Sequence, residues 1–209
     1  MATTQVTSGM IGPGEVKTPN LAPKAVTTSE MGDGTEGQVL GYGAAGAAEQ
    51  QWPSHVQRAV GTNATWTTLT DQRIPGDDTV PQKTEGQEIL TASITPKAAG
   101  HILRVTIDIP IVQTNALATI TGVLFWDGGT GTILADGIAC HMMHAGSGEN
   151  QSMSFAFEVA AVDTNPHNFS VRLGHAQGTA VNMYLNGNNT SRMMGGTSVA
   201  IITIDEFKA

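Results

Sequence analysis

The stretch Leu103-Arg104-Val105-Thr106-Ile107-Asp108-Ile109 decides the fold class, because large apolar residues fall on every second position with charged or hydroxyl residues between them. Side chains alternate between faces along an extended chain, so this pattern predicts a strand with one buried face and one wet face. The same period recurs downstream. Met153, Phe155, Phe157 and Val159 alternate with Ser152, Ser154, Ala156 and Glu158, and Phe169, Val171 and Leu173 alternate with Asn168, Ser170 and Arg172. Val181, Met183 and Leu185 follow suit, and further strands are expected at 88–95, 119–126, 131–135 and 137–144. Turn formers separate them: Pro96 with Gly100, Asp127-Gly-Gly, Gly146-Ser-Gly, Asn165-Pro166, Gly174 to Gly178, and Asn186-Gly-Asn-Asn. About nine short strands so spaced describe an all-β chain folded as a β-sandwich, with a jelly roll as the favoured topology.

The last strand breaks the alternation. Val199 and Ile201 lie on one side of Val199-Ala-Ile-Ile-Thr-Ile-Asp-Glu-Phe207, while Ala200, Ile202 and Ile204 lie on the other. A strand apolar on both faces is central in its sheet or covered by a neighbour. Val199, Ile201, Ile202, Ile204 and Phe207 are therefore the candidates for a contact between copies of the chain.

Composition agrees with an all-β reading. Charged residues are only 13% of the 209, against ~25% in an average domain, and there are 25 Gly. The formal charge is −8, and no run of Lys or Arg exists, which argues against a nucleic-acid groove. No apolar run approaches the ~18 residues of a membrane span, so insertion is not expected. The N-terminus lacks the basic and apolar regions of a signal peptide, so synthesis in a cytoplasm without secretion is expected. The single cysteine, Cys140, excludes an internal disulfide; its apolar neighbourhood predicts a buried, inert thiol.

The first thirty-five residues carry three ten-residue units. Val6, Val16 and Val26 open them, Ile11, Leu21 and Met31 follow five later, and Pro13, Pro23 and Asp33 hold the eighth place. The Pro and Gly content rules out a continuous helix and leaves an extended, jointed arm. Two large apolar residues per ten cannot form a core alone, so the arm needs something to pack against. Residues 36–62 then read as a short hairpin, bracketed by Val39-Leu40 and Trp52, followed by a linker at 54–62; residues 63–209 read as the β-domain. Thr-Glu-Gly-Gln occurs twice, at 35–38 and 84–87, each copy read as a turn feeding a strand.

These segments together resemble a known group. The decade repeat resembles the Val-Thr-Thr-x-x-Leu-x-x-Gly-x repeats of bacteriophage fibre proteins, and Gly34-Thr-Glu-Gly-Gln-Val-Leu-Gly-Tyr to Trp52 resembles the stretch that often follows them. Residues 74–109, with Met194-Gly-Gly-Thr and Ile202-Thr-Ile-Asp-Glu-Phe, resemble the opening and close of a phage-encoded jelly roll of the tumour-necrosis-factor/C1q type. The resemblance implies a homotrimer on a virion assembled in a bacterial cytoplasm. Its partners would be the major capsid protein or a tail or adaptor protein. Val6, Ile11, Val16, Leu21, Val26 and Met31 would anchor the arm. The chain departs from the group in having three repeat units and no separate N-terminal adaptor domain, which leaves the attachment point open between capsid and tail.

Signals for chemistry are weak. His141 and His144 are an odd number apart, which on a strand sends them to opposite faces and prevents shared metal ligation. The six histidines (55, 101, 141, 144, 167, 175) could still meet across a trimer axis. Asp77-Asp78 lies between Pro75 and Pro81 without the spaced acids of a calcium loop, so a plain turn is expected. Gly146-Ser-Gly has no following helix to make a nucleophile elbow. Asp205 and Glu206 face opposite ways on a strand, unlike a glycosidase pair. No enzyme, cofactor or metal is expected. The expected role is a capsid decoration or head-fibre protein. The alternatives are a short tail fibre whose loops 127–131, 145–150 or 186–194 bind a host-surface receptor or glycan, and a carbohydrate-binding jelly roll.

Overall fold

The alternating stretch at 103–109 is the centre of strand β4, Ile102–Thr114, in a computed structural model that describes residues 54–209. The decade repeats and the expected 36–53 hairpin lie outside the described residues. Leu103, Val105, Ile107 and Ile109 are all fully buried, while Arg104 and Asp108 are exposed.

Ten strands run in chain order: β1 His55–Asn63, β2 Thr67–Thr70, β3 Gln87–Ile94, β4, β5 Ala118–Trp126, β6 Ala139–Ala145, β7 Asn150–Ala160, β8 His167–His175, β9 Asn182–Leu185 and β10 Ala200–Phe207. Their pairing follows one rule: β1 pairs β10, β2 pairs β9, β3 pairs β8, β4 pairs β7 and β5 pairs β6, all antiparallel. The chain is thus one long hairpin, folded at the β5–β6 connection and rolled up. Lateral pairs β10–β4, β4–β9 and β5–β8 close the roll into two sheets. One sheet holds β1-β10-β4-β7, with β9 and β2 continuing beyond β4; the other holds β3-β8-β5-β6. This is the strand order of a jelly roll.

The two sheets enclose a single main core, in which the β4 residues meet Ile120, Leu124, Met153, Phe169, Val171 and Leu173. A second, smaller cluster of Ile74, Val123 and Phe125 lies where the 71–86 connection covers the outer side of β5. The turn at 84–86 leads into β3 at Gln87, matching the reading of the second Thr-Glu-Gly-Gln copy.

Two segments differ from expectation. Residues 54–62, expected as a linker, form most of β1, so the β-domain begins before residue 63. The inward positions of β1 are Gln57, Ala59, Gly61 and Asn63, while Val60 points out and is 54% exposed. The alternation is therefore inverted and invisible as apolar periodicity. Gly61 is required there, since a Cβ would collide with the carbonyl oxygen of Thr91 and approach Ile202 Cγ2 at 2.9 Å. Residues 131–135 are not a strand. Gly128, Gly129 and Gly131 take φ of 62°, 82° and 76°, and Asp127 Oδ1 accepts a 2.9 Å bond from Gly129 N, coiling the chain instead. Ile133 packs against the smaller cluster while its neighbour Leu134 stays exposed.

Candidate functional site

Strand directions sort the connections into two ends. At the near end lie Ser54, Phe207, and the connections 95–101, 127–138 and 161–166; at the far end lie 115–117, 146–149 and 176–181. Lys208 N donates to Ser54 O at 3.1 Å, so the described chain enters and leaves at the near end. The three Gly/Asn-rich loops do not form one surface: 127–131 sits at the near end, 145–150 at the far end, and 186–194 on the flank between β9 and β10.

The five candidates for a contact between copies divide by face. Ile202 and Ile204 are fully buried in the chain's own core and are unavailable to a partner, a correction that follows from β10 being central between β1 and β4. Val199, Ile201 and Phe207 are half-buried and point outward. The arm residues Val6, Ile11, Val16, Leu21, Val26 and Met31 lie outside the described residues.

Outward positions of the β1-β10-β4-β7 sheet form a charge ladder. Arg58 is in register with Asp205, Asp205 with Arg104, and Arg104 with Glu158. Arg58 Nε donates to Asp205 Oδ1 at 2.7 Å, and Arg104 Nε donates to Glu158 Oε1 at 2.7 Å with its guanidinium 5.7 Å from the Phe207 ring centroid. The bond from Arg58, joined by His55, holds the Asp205 carboxyl below its ordinary value against the opposing effect of burial. On the inner side, burial pushes Glu206 up, but donation from Lys97 N, His101 and Gln57 outweighs it and leaves the carboxyl below its ordinary value. Such pairings are structural, and they leave no free carboxylate at either position.

The remaining titratable candidates are scattered. His141 stacks on Phe155 with ring centroids 6.0 Å apart, facing inward, while His144 is exposed on the other face of β6. Cys140 is exposed rather than buried, since β6 is an edge strand and its outer side is uncovered there. Asp77 Oδ1 accepts from Thr79 N at 2.9 Å and from the Thr79 hydroxyl, which makes the 77–79 segment a plain turn. Among the described residues no group of three or more His, Cys, Asp or Glu is placed to hold a metal ion.

Sequence reading missed the most elaborately built feature of the surface, the platform made by residues 63–66 and the 186–197 loop. Asn186, fully buried with φ of 59°, donates through Nδ2 to Asn63 O at 2.7 Å and Thr65 O at 3.1 Å. Trp66 Nε1 donates to Asn188 O at 3.0 Å. Asn188 Oδ1 accepts from Thr190 N and Ser191 N, each at 2.9 Å, and folds the tip; Met194–Gly196 forms one 3-10 turn, with Met194 at φ 50°. Two non-glycine residues in left-handed backbone within one loop mark a locally strained, over-determined segment. The signal available in sequence was only Asn186-Gly-Asn-Asn, which reads as a turn.

No family model and no curated protein matches the chain. Among solved structures it is similar to the Eiger tumour necrosis factor of S. frugiperda, at 14% identity over 74% of this chain and 93% of that one, with a TM-score of 0.40. It is also similar to the Gx strain structure of infectious bursal disease virus, at 14% identity over 80% of this chain but 42% of that one, TM-score 0.39. A xylan-binding module from Paenibacillus barcinonensis follows at 10% identity, covering 75% and 97%, TM-score 0.31. Likeness this weak carries no argument by itself; the all-β jelly roll rests on the strand order of the chain's own two sheets.

Proposed function

We propose that the chain is a structural, non-enzymatic bacteriophage virion protein: a homotrimeric capsid decoration or head-fibre protein whose N-terminal arm anchors it while the β-domain projects outward. The observation that supports this is the meeting of Ser54 and Lys208 at the near end. A tether there leaves the far-end loops 115–117, 146–149 and 176–181 free to point away from a particle. The decade repeat supports an arm that docks through Val6, Ile11, Val16, Leu21, Val26 and Met31 on the major capsid protein or a tail or adaptor protein. A flank platform on the β-domain favours, as second reading, a short tail fibre that binds a receptor.

Mass measurement in solution is expected to give three times 21.7 kDa; a clean monomer refutes the trimer. Deleting residues 1–35 is expected to release the β-domain from particles and leave it folded and trimeric. Particles that retain the truncated protein would show that the arm is not the anchor. Gold labelling at the tail tip would select the second reading.

A further inference from the structure

The platform of residues 63–66 and 186–197 joins an exposed aromatic ring to an unpaired guanidinium. Trp66 is 36% exposed, and its bond to Asn188 O fixes the ring against the loop rather than letting it turn. Arg192 is exposed and forms no ion pair with any carboxylate among the described residues. Both residues crowd Gly187, where an added Cβ would stand 2.5 Å from Trp66 Cδ1 and 3.0 Å from Arg192 Cα. Beyond it the guanidinium rests on Gly196: an added Cβ there, at φ of 89°, would meet Arg192 Nη1 at 2.5 Å. The guanidinium thus lies against bare backbone, at a left-handed position that favours glycine. Asn189 and Thr190 are exposed beside it at the loop tip.

The charge setting of Arg192 is also unusual for this chain. With 18 Asp and Glu in 209 residues, none occurs between Asp163 and Asp205, and none in 63–70. The platform's own two segments therefore carry no acid on an acidic protein, and the carboxylate beside them is Glu88, which flanks Asn63 at the platform's edge. A rigid indole face suits the apolar face of a pyranose, and a guanidinium fork with no internal partner suits a carboxylate, which it can bind by two parallel hydrogen bonds. Pre-organisation by Asn186, Asn188 and the strained turn lowers the ordering cost of binding.

We infer that Trp66 and Arg192 form a binding site for an acidic saccharide, a pyranose bearing a carboxylate, with Asn189 and Thr190 as hydrogen-bonding neighbours. The inference deepens the receptor-binding reading by naming the site and the ligand class. Particle release on arm deletion tests the anchor separately, so either can fail without the other.

The test is calorimetric titration of the full chain with hexuronic acid oligosaccharides (galacturonate, glucuronate and mannuronate) and N-acetylneuraminate. Neutral gluco-oligosaccharides and glucose 6-phosphate serve as comparison arms. At least one carboxylated sugar is expected to bind, at least tenfold more tightly than the neutral sugars, and more weakly as salt is raised. Arg192→Gln and Trp66→Ala are each expected to weaken it at least tenfold. Arg192 is exposed, so R192Q retains the fold and carries the test even where W66A does not. Failure of every carboxylated sugar, equal binding of neutral sugars, unchanged affinity in R192Q, or preference for the sugar phosphate overturns the inference.

Discussion

Asp205 and Glu206 are adjacent on β10 yet hold opposite surfaces of one sheet: Asp205 takes Arg58 and His55 on the outside, while Glu206 takes His101, at 2.6 Å, on the inside. Both carboxyls are held below their ordinary values. Their contribution to stability is therefore complete above the unfolded range of about 3.9–4.3 and is lost as pH falls through the lower folded values. His175, pushed down by burial against the opposing effect of its bond to Asp71, adds an earlier loss that begins as pH falls below about 6.5. Melting temperatures across pH 7 to 3 are expected to fall gently first and steeply below about pH 4. Glu206→Gln should flatten the steep limb and cost about 1.5–3 kcal/mol at neutral pH; an unchanged acid limb would remove Glu206 from this account.

The two faces of β10 predict opposite mutational outcomes. Ile202→Ala and Ile204→Ala delete fully buried side chains and should each cost about 2–5 kcal/mol. Ile201→Thr, on the outer face, should stay within about 1 kcal/mol in the isolated chain. Denaturant unfolding below the concentration at which copies associate distinguishes them. Equal costs at 201 and 202 would contradict the strand's placement.

Gly61 marks a close approach of β1 to β3. Gly61→Ala puts a methyl group against the Thr91 carbonyl, which belongs to backbone and cannot rotate away. The expected loss is about 1–3 kcal/mol, the usual range for overpacking. It should appear as faster exchange of the β1 and β10 amides, and a neutral result would mean that β1 is not held against β3.

Cys140 is exposed on the outer side of an edge strand. A thiol-specific reagent is expected to label one equivalent in the native protein, at a rate that denaturant changes little. Slow labelling that needs unfolding would restore the buried thiol expected from its apolar neighbours.

Most of the sheet was legible because residues such as Leu103, Val105, Ile107 and Ile109 sit in strands with one wet face, where burial writes itself as period two. β1 was hidden because its inward residues are small or polar, set by the close approach of Thr91 and Ile202 at Gly61. Ile133 and Leu134 misled in the other direction: Ile133 plugs a loop whose path is fixed by three glycines and Asp127, while apolar Leu134 is left exposed. The exposure of Cys140 was not readable either, since edge position is a property of topology. The Trp66–Arg192 platform lay furthest from reach, because its parts are over a hundred residues apart and its clamp, Asn186, looks like any turn asparagine.

The rolled hairpin also dictates the order in which the molecule can be made. Its fold-back point pairs strands joined by the short 127–138 connection, whereas β1 must wait for β10, about 150 residues later in the chain. During synthesis β1 and β4 emerge long before the strand that separates them, so each carries an open edge until the last one arrives. Topology this non-local folds slowly. The growing chain thus depends on its weakly apolar first strand, with Gly61 on its inner face, to remain unpaired without sticking to the wrong neighbour.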